Sequence, residues 1–496
     1  MSVSVSYRPV DGRPAGEVAD STAAEVEATV ATAAAAAAPF AAASPAQRAA
    51  WIGAVADAVD AHAEELVELA DTETGLGVPR LTGEAGRVAA QLRFYAAVGA
   101  EGSWLGVTVD SATDTSPRLV RVNRPLGPVG VFGASNFPFA FGVLGNDTAS
   151  ALAAGCPVVA KAHPAHPLLS VRLGEIATGA LAAAGAPDGA FGLVVGMDAG
   201  TQLVRAPGIT AIGFTGSQGG GLALWRLANE REVVIPVYSE MGTVNPAVMT
   251  TAALGRVEDV ARGFVGSFTL GSGQFCTKPG MLLAPAGHGV ADAVASALAE
   301  AAPAPTMLTE RIATTALSGV ERLVAAGARE AGRVAGSGLG WSADAVVLEA
   351  PSTALTPGSA LLEECFGPVA VVVEYADSAS LAEALDALQG SLAATVVTDG
   401  SGQDPETAAL VARLADQVGR VTVDDWPTGV AWTWAQQHGG PWPATSRPEA
   451  TSVGAAALAR WVRPVSYQSV PDDALPTAAR EANPWGVPRR VDGRPA

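Results

Sequence analysis

One cysteine of this chain lies among small residues, in Gly271-Ser-Gly-Gln-Phe-Cys276-Thr-Lys-Pro-Gly280. Glycines let backbone approach a ligand closely. A thiol with an open approach and a nearby base can attack an electrophilic carbon. Upstream, Glu240 in Pro236-Val-Tyr-Ser-Glu240-Met-Gly-Thr-Val-Asn-Pro246 follows an apolar run and precedes a Gly turn. A carboxylate at a strand end is well placed as a general base toward water. Asn136, in Gly133-Ala-Ser-Asn136-Phe-Pro-Phe139, carries two N–H donors suited to a developing oxyanion. In Gly213-Phe-Thr-Gly216-Ser217-Gln-Gly-Gly-Gly221, an apolar run ends in a Gly-rich turn that opens a helix. Such a turn can set backbone N–H groups against a pyrophosphate, although it matches neither GxGxxG nor the Walker A loop. Lys161, closing Val158-Val-Ala-Lys161, could hold ribose hydroxyls or a phosphate. Taken singly, each has a plain structural alternative: an inert buried cysteine, a solvated carboxylate or lysine, a turn asparagine, an ordinary strand-to-helix turn.

The elements that must position these groups form an alternating pattern. Strands are expected at Val129–Phe132, Pro157–Lys161, Phe191–Val195 and Ile209–Phe214, with helices at Thr148–Ala154 and Leu168–Ala184. Alternation of this kind indicates a parallel, doubly wound sheet whose ligands sit at the carboxyl ends of its strands. Asn136, Lys161 and Ser217 each fall at or just after such an end. Residues 20–100 read as helices, with Ser44-Pro45 as a capping hydroxyl and first-turn proline. Residues 103–125 read as a β-hairpin that interrupts the α/β pattern, and Ala459–Tyr467 as a late strand. A second α/β region spans about 242–440, and the Pro-rich tail from Pro471 is expected to be an irregular strap.

At 496 residues, two or three domains are expected, and 49% hydrophobic against 16% charged residues permits a large core. A net charge of −19 disfavours nucleic acid as a partner. Three cysteines without CxxC or metal-ligand spacing argue against a disulfide framework or a metal site. The Ala-rich stretch at 23–43 is interrupted by Glu25, Glu27 and Pro39, so no membrane span is expected. No signal peptide is visible, and a cytoplasmic location is the expectation.

Together and in this order, Asn136 in SNFPF, Lys161, the FTGS of 214–217, Glu240 in SEMGTVNP, Cys276 in GQFCTKPG and Glu364 in EECFGPV resemble the aldehyde dehydrogenase superfamily. The resemblance runs from about residue 20 to 470. It implies a Rossmann-like cofactor domain (1–102 and 126–241), an α/β catalytic domain (242–450), a β-hairpin oligomerisation arm (103–125 and 451–480) and a tail (481–496). It implies Cys276 as nucleophile, Asn136 with the Cys276 N–H as oxyanion hole, and Glu240 as the base that activates the hydrolytic water. Lys161, Gly216, Ser217, Gly221, Glu364 and Phe366 would hold the dinucleotide, and Phe141, Gln274 and Lys278 would face the substrate. A homodimer or homotetramer is implied.

Within the superfamily, Lys161-Ala-His-Pro-Ala-His-Pro167, residues 213–224 and Gln437-His-Gly-Gly-Pro-Trp-Pro-Ala-Thr-Ser446 resemble the α-ketoglutarate semialdehyde (2,5-dioxopentanoate) dehydrogenase branch of sugar-acid catabolism. A fatty-aldehyde or broad-specificity branch is the alternative, and a catalytically silent relative the non-enzyme one. Pro164 stands where the commoner family motif has a glutamate that would repel a 2′-phosphate. NADP or NAD is therefore expected, with a lean to NADP.

Overall fold

A computed structural model describes residues 2–496. The expected cofactor sheet has five parallel strands in the order Phe191–Val194, Val158–Lys161, Val129–Phe132, Ala211–Gly216, Val237–Met241. Register sets Phe132 beside Lys161 and Phe214, Lys161 beside Val194, and Gly216 beside Met241. The carboxyl ends therefore share one rim. The inner strands are apolar and fully buried, as helices on both faces require.

The first helices form as their sequence dictates. Thr22 and Glu25 close a capping box on helix Ala23–Ala42, and the Ser44 hydroxyl accepts from the Gln47 N–H before Pro45 opens helix Pro45–Ala61. Trp51, Val55, Val59 and Leu66 go into the core as their spacing predicts. Ahead of them lies an unexpected hairpin, Val3–Tyr7 with Pro14–Ala19. Its first strand, Val3-Ser-Val-Ser-Tyr7, alternates apolar and polar residues, a strand signal although a short one.

The second sheet has seven strands in the order Arg329–Val334, Ala345–Pro351, Val369–Tyr375, Met281–Pro285, Pro246–Met249, Ser391–Val397, Val418–Val423. All neighbours are parallel except the first pair. Cys276, Asn245 and Glu364 all precede strands of this sheet, so it offers amino ends to the region where the first sheet offers carboxyl ends.

The hairpin is present as Val107–Asp110 paired antiparallel with Leu119–Pro125, and Val462–Gln468 lines the other side of the latter. The expectation of an irregular tail is corrected. Arg489–Val491 pairs with Val107–Asp110, and Arg494–Pro495 pairs back on it. The tail also sends Leu475, Ala478, Ala479 and Val487 under the arm. Without that cover, Val107 and Val120 would lie bare to water. Among the described residues no helix is long and apolar enough to cross a membrane.

Candidate active site

Cys276 follows helix Val257–Thr269 and a loop in which Gly271, Ser272 and Gly273 are all left-handed. At Gly273 a Cβ would lie 2.2 Å from the Gly367 carbonyl oxygen, so only glycine lets this loop pass the Glu364 segment. The carbonyl of Cys276 accepts 2.7 Å from the Asn245 amide, which also donates to the Lys278 carbonyl. Asn245 in turn accepts from the Ala393 N–H and the Thr243 hydroxyl. One asparagine thus ties the Cys276 turn to two strands.

Glu240 sits near the end of Val237–Met241, an edge strand. The segment 438–452 lies along that edge: Met241 N–H donates to the Ala444 carbonyl, and Ser239 N–H to the Ser446 hydroxyl. This cover keeps the edge paired and brings in His438, whose own N–H donates to the Thr451 hydroxyl. His438 Nε2 lies 3.5 Å from Cys276 Sγ and 3.0 Å from Glu240 Oε1. The Ser452 hydroxyl donates to Glu240 Oε2 at 2.7 Å. Beside this carboxylate is a cavity of about 10 Å³ lined by Ser239, Glu240, His438, Thr451 and Ser452 among others, room for about one water.

Burial alone would raise the Glu240 carboxyl, but His438 and Ser452 outweigh it and leave Glu240 below the ordinary carboxylate value. Cys276 moves the other way. Burial, then the charge of Glu240, push its thiol well above the usual value. The helix before it offers its carboxyl end, which gives a thiolate no help. Two proton acceptors are in reach of this thiol, His438 Nε2 and the Glu240 carboxylate. His438 lies within the stretch 437–446, but its separation of 162 residues from Cys276 leaves no local sequence signal of this contact. Nor does any metal-ligand spacing exist in the sequence, yet the fold brings donor atoms of Glu240, Cys276 and His438 within 4.8 Å of one another.

Three expectations shift. Asn136 is 6% exposed, and its amide nitrogen donates 2.7 Å to the Gln274 carbonyl, so one of its two N–H donors is committed to backbone. Gln274, expected in the substrate pocket, is fully buried: its side-chain Oε1 accepts from Leu308 N–H and its side-chain amide nitrogen donates to the Thr306 carbonyl. Lys278, expected there too, turns inward and donates to the carbonyls of Cys365, Gly367 and Val369 at 2.7–3.1 Å. A buried ammonium needs partners, and this carbonyl cage supplies them. Phe141 does stay near the chemistry, its ring edge-on to His438 at 6.2 Å.

Sequence reading also missed two arginines. Arg80 and Arg87 lie seven residues apart, on one face of helix Val78–Glu101. Arg80 stacks on Phe137 and Phe275, and Arg87 on Phe137, Phe141 and Trp432. Each makes one hydrogen bond, to the Asn136 and Val430 carbonyls respectively, and leaves a buried N–H nitrogen unpaired: Nη1 of Arg80 and Nε of Arg87.

On the rim of the first sheet, Lys161 is 7% exposed, and its one hydrogen-bond partner among the described residues is the Met197 sulfur at 3.6 Å. Burial lowers it to about 8. Ser217 caps helix Gln218–Asn229, accepting from Gly220 N–H, with Gly216 ending the strand and Gly221 buried in the first turn. Glu364 lies against Gly242, where a Cβ would sit 1.9 Å from its carboxylate. Its Oε1 is buried without a partner, and burial raises it to about 7. Phe366 is half-buried beside it. An unpaired ammonium, an orphaned carboxylate oxygen and a capped helix start fit the hydroxyls and phosphates of a dinucleotide.

The profile of the aldehyde dehydrogenase family matches residues 3–441. The chain is 43% identical to alpha-ketoglutaric semialdehyde dehydrogenase 2 of Azospirillum brasilense, covering 98% of this chain and 94% of that protein. It is 37% identical to the alpha-ketoglutaric semialdehyde dehydrogenase of Acinetobacter baylyi, covering 98% and 95%. The fold matches PnpE in complex with nicotinamide adenine dinucleotide with a TM-score of 0.80, at 21% identity over 94% of both chains. The turn that carries Cys276, the two sheets that frame it and this near full-length likeness all agree: the chain belongs to the aldehyde dehydrogenase family.

Proposed function

We propose that this enzyme oxidises α-ketoglutarate semialdehyde to 2-oxoglutarate with NAD(P)⁺, through a thioester on Cys276. The observation that carries the chemistry is the cluster in which His438 Nε2 lies 3.5 Å from Cys276 Sγ and 3.0 Å from Glu240 Oε1, all three donor atoms within 4.8 Å of one another. With its proton on Nδ1, the imidazole takes the thiol proton at Nε2, and the resulting cation lies 3.0 Å from the Glu240 carboxylate, whose charge offsets it. The Sγ–C bond then forms on the aldehyde carbon. The second Asn136 amide hydrogen and the Cys276 N–H are the donors for the oxygen that becomes negative. The nicotinamide, when bound, supplies the acceptor for the hydride that leaves this adduct, and a thioester on Sγ results. Glu240, held by Ser452, then takes the proton of the water that attacks the thioester carbon. The C–S bond breaks, the acid leaves, and Cys276 recovers its proton.

Lys161 and Ser217 would hold the adenosine ribose and pyrophosphate, and Glu364 with Phe366 the nicotinamide side. Pro164 is exposed two residues beyond Ala162 and brings no carboxylate to Lys161, which supports acceptance of a 2′-phosphate and a preference for NADP. Arg80 and Arg87 support a substrate bearing a carboxylate, because each keeps an unpaired buried N–H beside the aromatic wall that includes Phe275. The long-range likeness to two alpha-ketoglutaric semialdehyde dehydrogenases supports the same substrate.

Purified enzyme assayed with α-ketoglutarate semialdehyde, succinate semialdehyde and uncharged aliphatic aldehydes under both cofactors tests this. The highest kcat/KM is expected for α-ketoglutarate semialdehyde. A preference for long aliphatic aldehydes would overturn the substrate, and no reduced cofactor from any aldehyde would overturn the reaction. In Glu240→Gln a burst of reduced cofactor is expected, followed by a stall. Absence of the burst in a folded variant would move Glu240 to thiolate formation.

A further inference from the structure

The three donor atoms around the nucleophile have the spacing of a metal site. In tetrahedral zinc coordination with Zn–S near 2.3 Å and Zn–N or Zn–O near 2.0–2.2 Å, ligand atoms stand roughly 3.3–3.6 Å apart. Cys276 Sγ and His438 Nε2 are 3.5 Å apart, and Nε2 and Glu240 Oε1 are 3.0 Å apart. All three donors lie within 4.8 Å of one another. The ligands come from three separate supports: the left-handed loop before the catalytic sheet, the edge strand of the cofactor sheet and the segment that covers that edge.

We propose that Glu240, Cys276 and His438 form a high-affinity site for a thiophilic divalent cation such as Zn²⁺, which locks the nucleophile in a reversible inactive state. Charge favours it. A thiolate and a carboxylate together offset the two charges of the ion, and the imidazole adds a neutral donor, so the buried cluster becomes electrically neutral. Support beyond the ligands exists too: the Ser452 hydroxyl fixes Glu240 and the Thr451 hydroxyl fixes the His438 backbone. Thiol, imidazole and carboxylate are a ligand set that Zn²⁺ favours over Mg²⁺ or Ca²⁺. Binding forms Zn–S, Zn–N and Zn–O bonds and releases the Cys276 thiol proton to water. No electron moves, so a chelator reverses it. Metal and aldehyde exclude each other because both take Sγ.

The test measures binding directly and so stands apart from the aldehyde reading. Metal-free enzyme is titrated with Zn²⁺ by calorimetry, and with Co²⁺ for the near-ultraviolet thiolate-to-cobalt charge-transfer band. One tight Zn²⁺ per chain is expected, with that band present. Cys276→Ser should abolish the band. Folded His438→Asn should weaken binding by about 100-fold or more, because loss of a direct ligand costs at least the 10–100-fold typical of outer-shell partners. Stoichiometric Zn²⁺ should also protect Cys276 from iodoacetamide, and EDTA should restore its alkylation. No stoichiometric binding, no charge-transfer band, or binding unchanged in both Cys276→Ser and His438→Asn would overturn the proposal.

Discussion

Two buried lysines, one on each side of the active site, show what burial alone does not say. Lys161 on the cofactor rim and Lys278 behind the nucleophile are 7% and 2% exposed, and burial lowers both. Lys278 has all three of its ammonium protons spoken for by backbone carbonyls. Lys161 has one weak sulfur partner. The first is scaffold and the second is poised for a ligand. The same contrast separates Gln274, bonded at both ends of its amide, from Glu364, whose inner oxygen has no partner. In these two pairs hydrogen-bond satisfaction, more than depth, separates the group tied into the scaffold from the one left open to a ligand.

That contrast can be broken by substitution, and the largest effect is expected at the cage. Lys278→Met takes the ammonium from the Cys365 and Val369 carbonyls, while that of Gly367 keeps the Val369 N–H, and should cost about 2–4 kcal/mol of stability, read as a lower urea midpoint. A loss below about 1 kcal/mol would mean that the cage holds nothing together. Lys161→Met should instead leave the cofactor-free protein at least as stable, while KM for the cofactor rises about 10–100-fold, the worth of one hydrogen bond to a charged group. The pH dependence has a definite sign. The folded Lys161 sits at about 8, below the 10.5 of a free lysine, so between these values the unfolded chain binds more protons. Stability should therefore rise as pH goes from about 8 towards 10.5, and this rise should flatten in Lys161→Met.

Arg87→Ala should raise KM for an acid-bearing aldehyde about 10-fold and leave that for an uncharged aldehyde nearly unchanged, a split that loss of packing against Trp432 alone would not produce. The smallest effect concerns Glu364. Raised to about 7, its carboxyl ionises as pH passes that value and only then becomes a full acceptor for a ribose hydroxyl. Cofactor KM should fall severalfold across this range in the parent enzyme. In Glu364→Gln it should be flat with pH, and an unchanged profile would remove Glu364 from the cofactor's contacts.

Much of the frame was legible in the chain. The strand at Val129–Phe132 lies where its apolar run predicts, and helix Asn146–Ala153 and strand Val158–Lys161 fall within two residues of expectation. Local signals suffice there because these segments alternate between elements of different period. The arm was half legible. Its hairpin shows alternation, but the strand Arg489–Val491 is polar and short, and its pairing depends on Val107–Asp110 nearly four hundred residues earlier. The rule that ligands sit at carboxyl ends located the rim with Lys161 and Ser217. It could not reveal that the second sheet meets that rim with its amino ends, where Cys276 and Asn245 lie.

By itself the sequence determined which groups could do chemistry: a cysteine in a glycine-rich loop, a glutamate at a strand end, a lysine closing another. Residue type and neighbouring small residues carry that information locally. Only the tertiary structure decided which of them face one another. It gathered His438, Cys276 and Glu240 into one cluster, turned Lys278 and Gln274 into the scaffold, and left Arg87 and Glu364 with unpaired buried atoms. The physical reason is that a polar side chain's task is fixed by whether its hydrogen bonds are already met. Those partners come from residues distant in the chain, which composition and spacing do not encode.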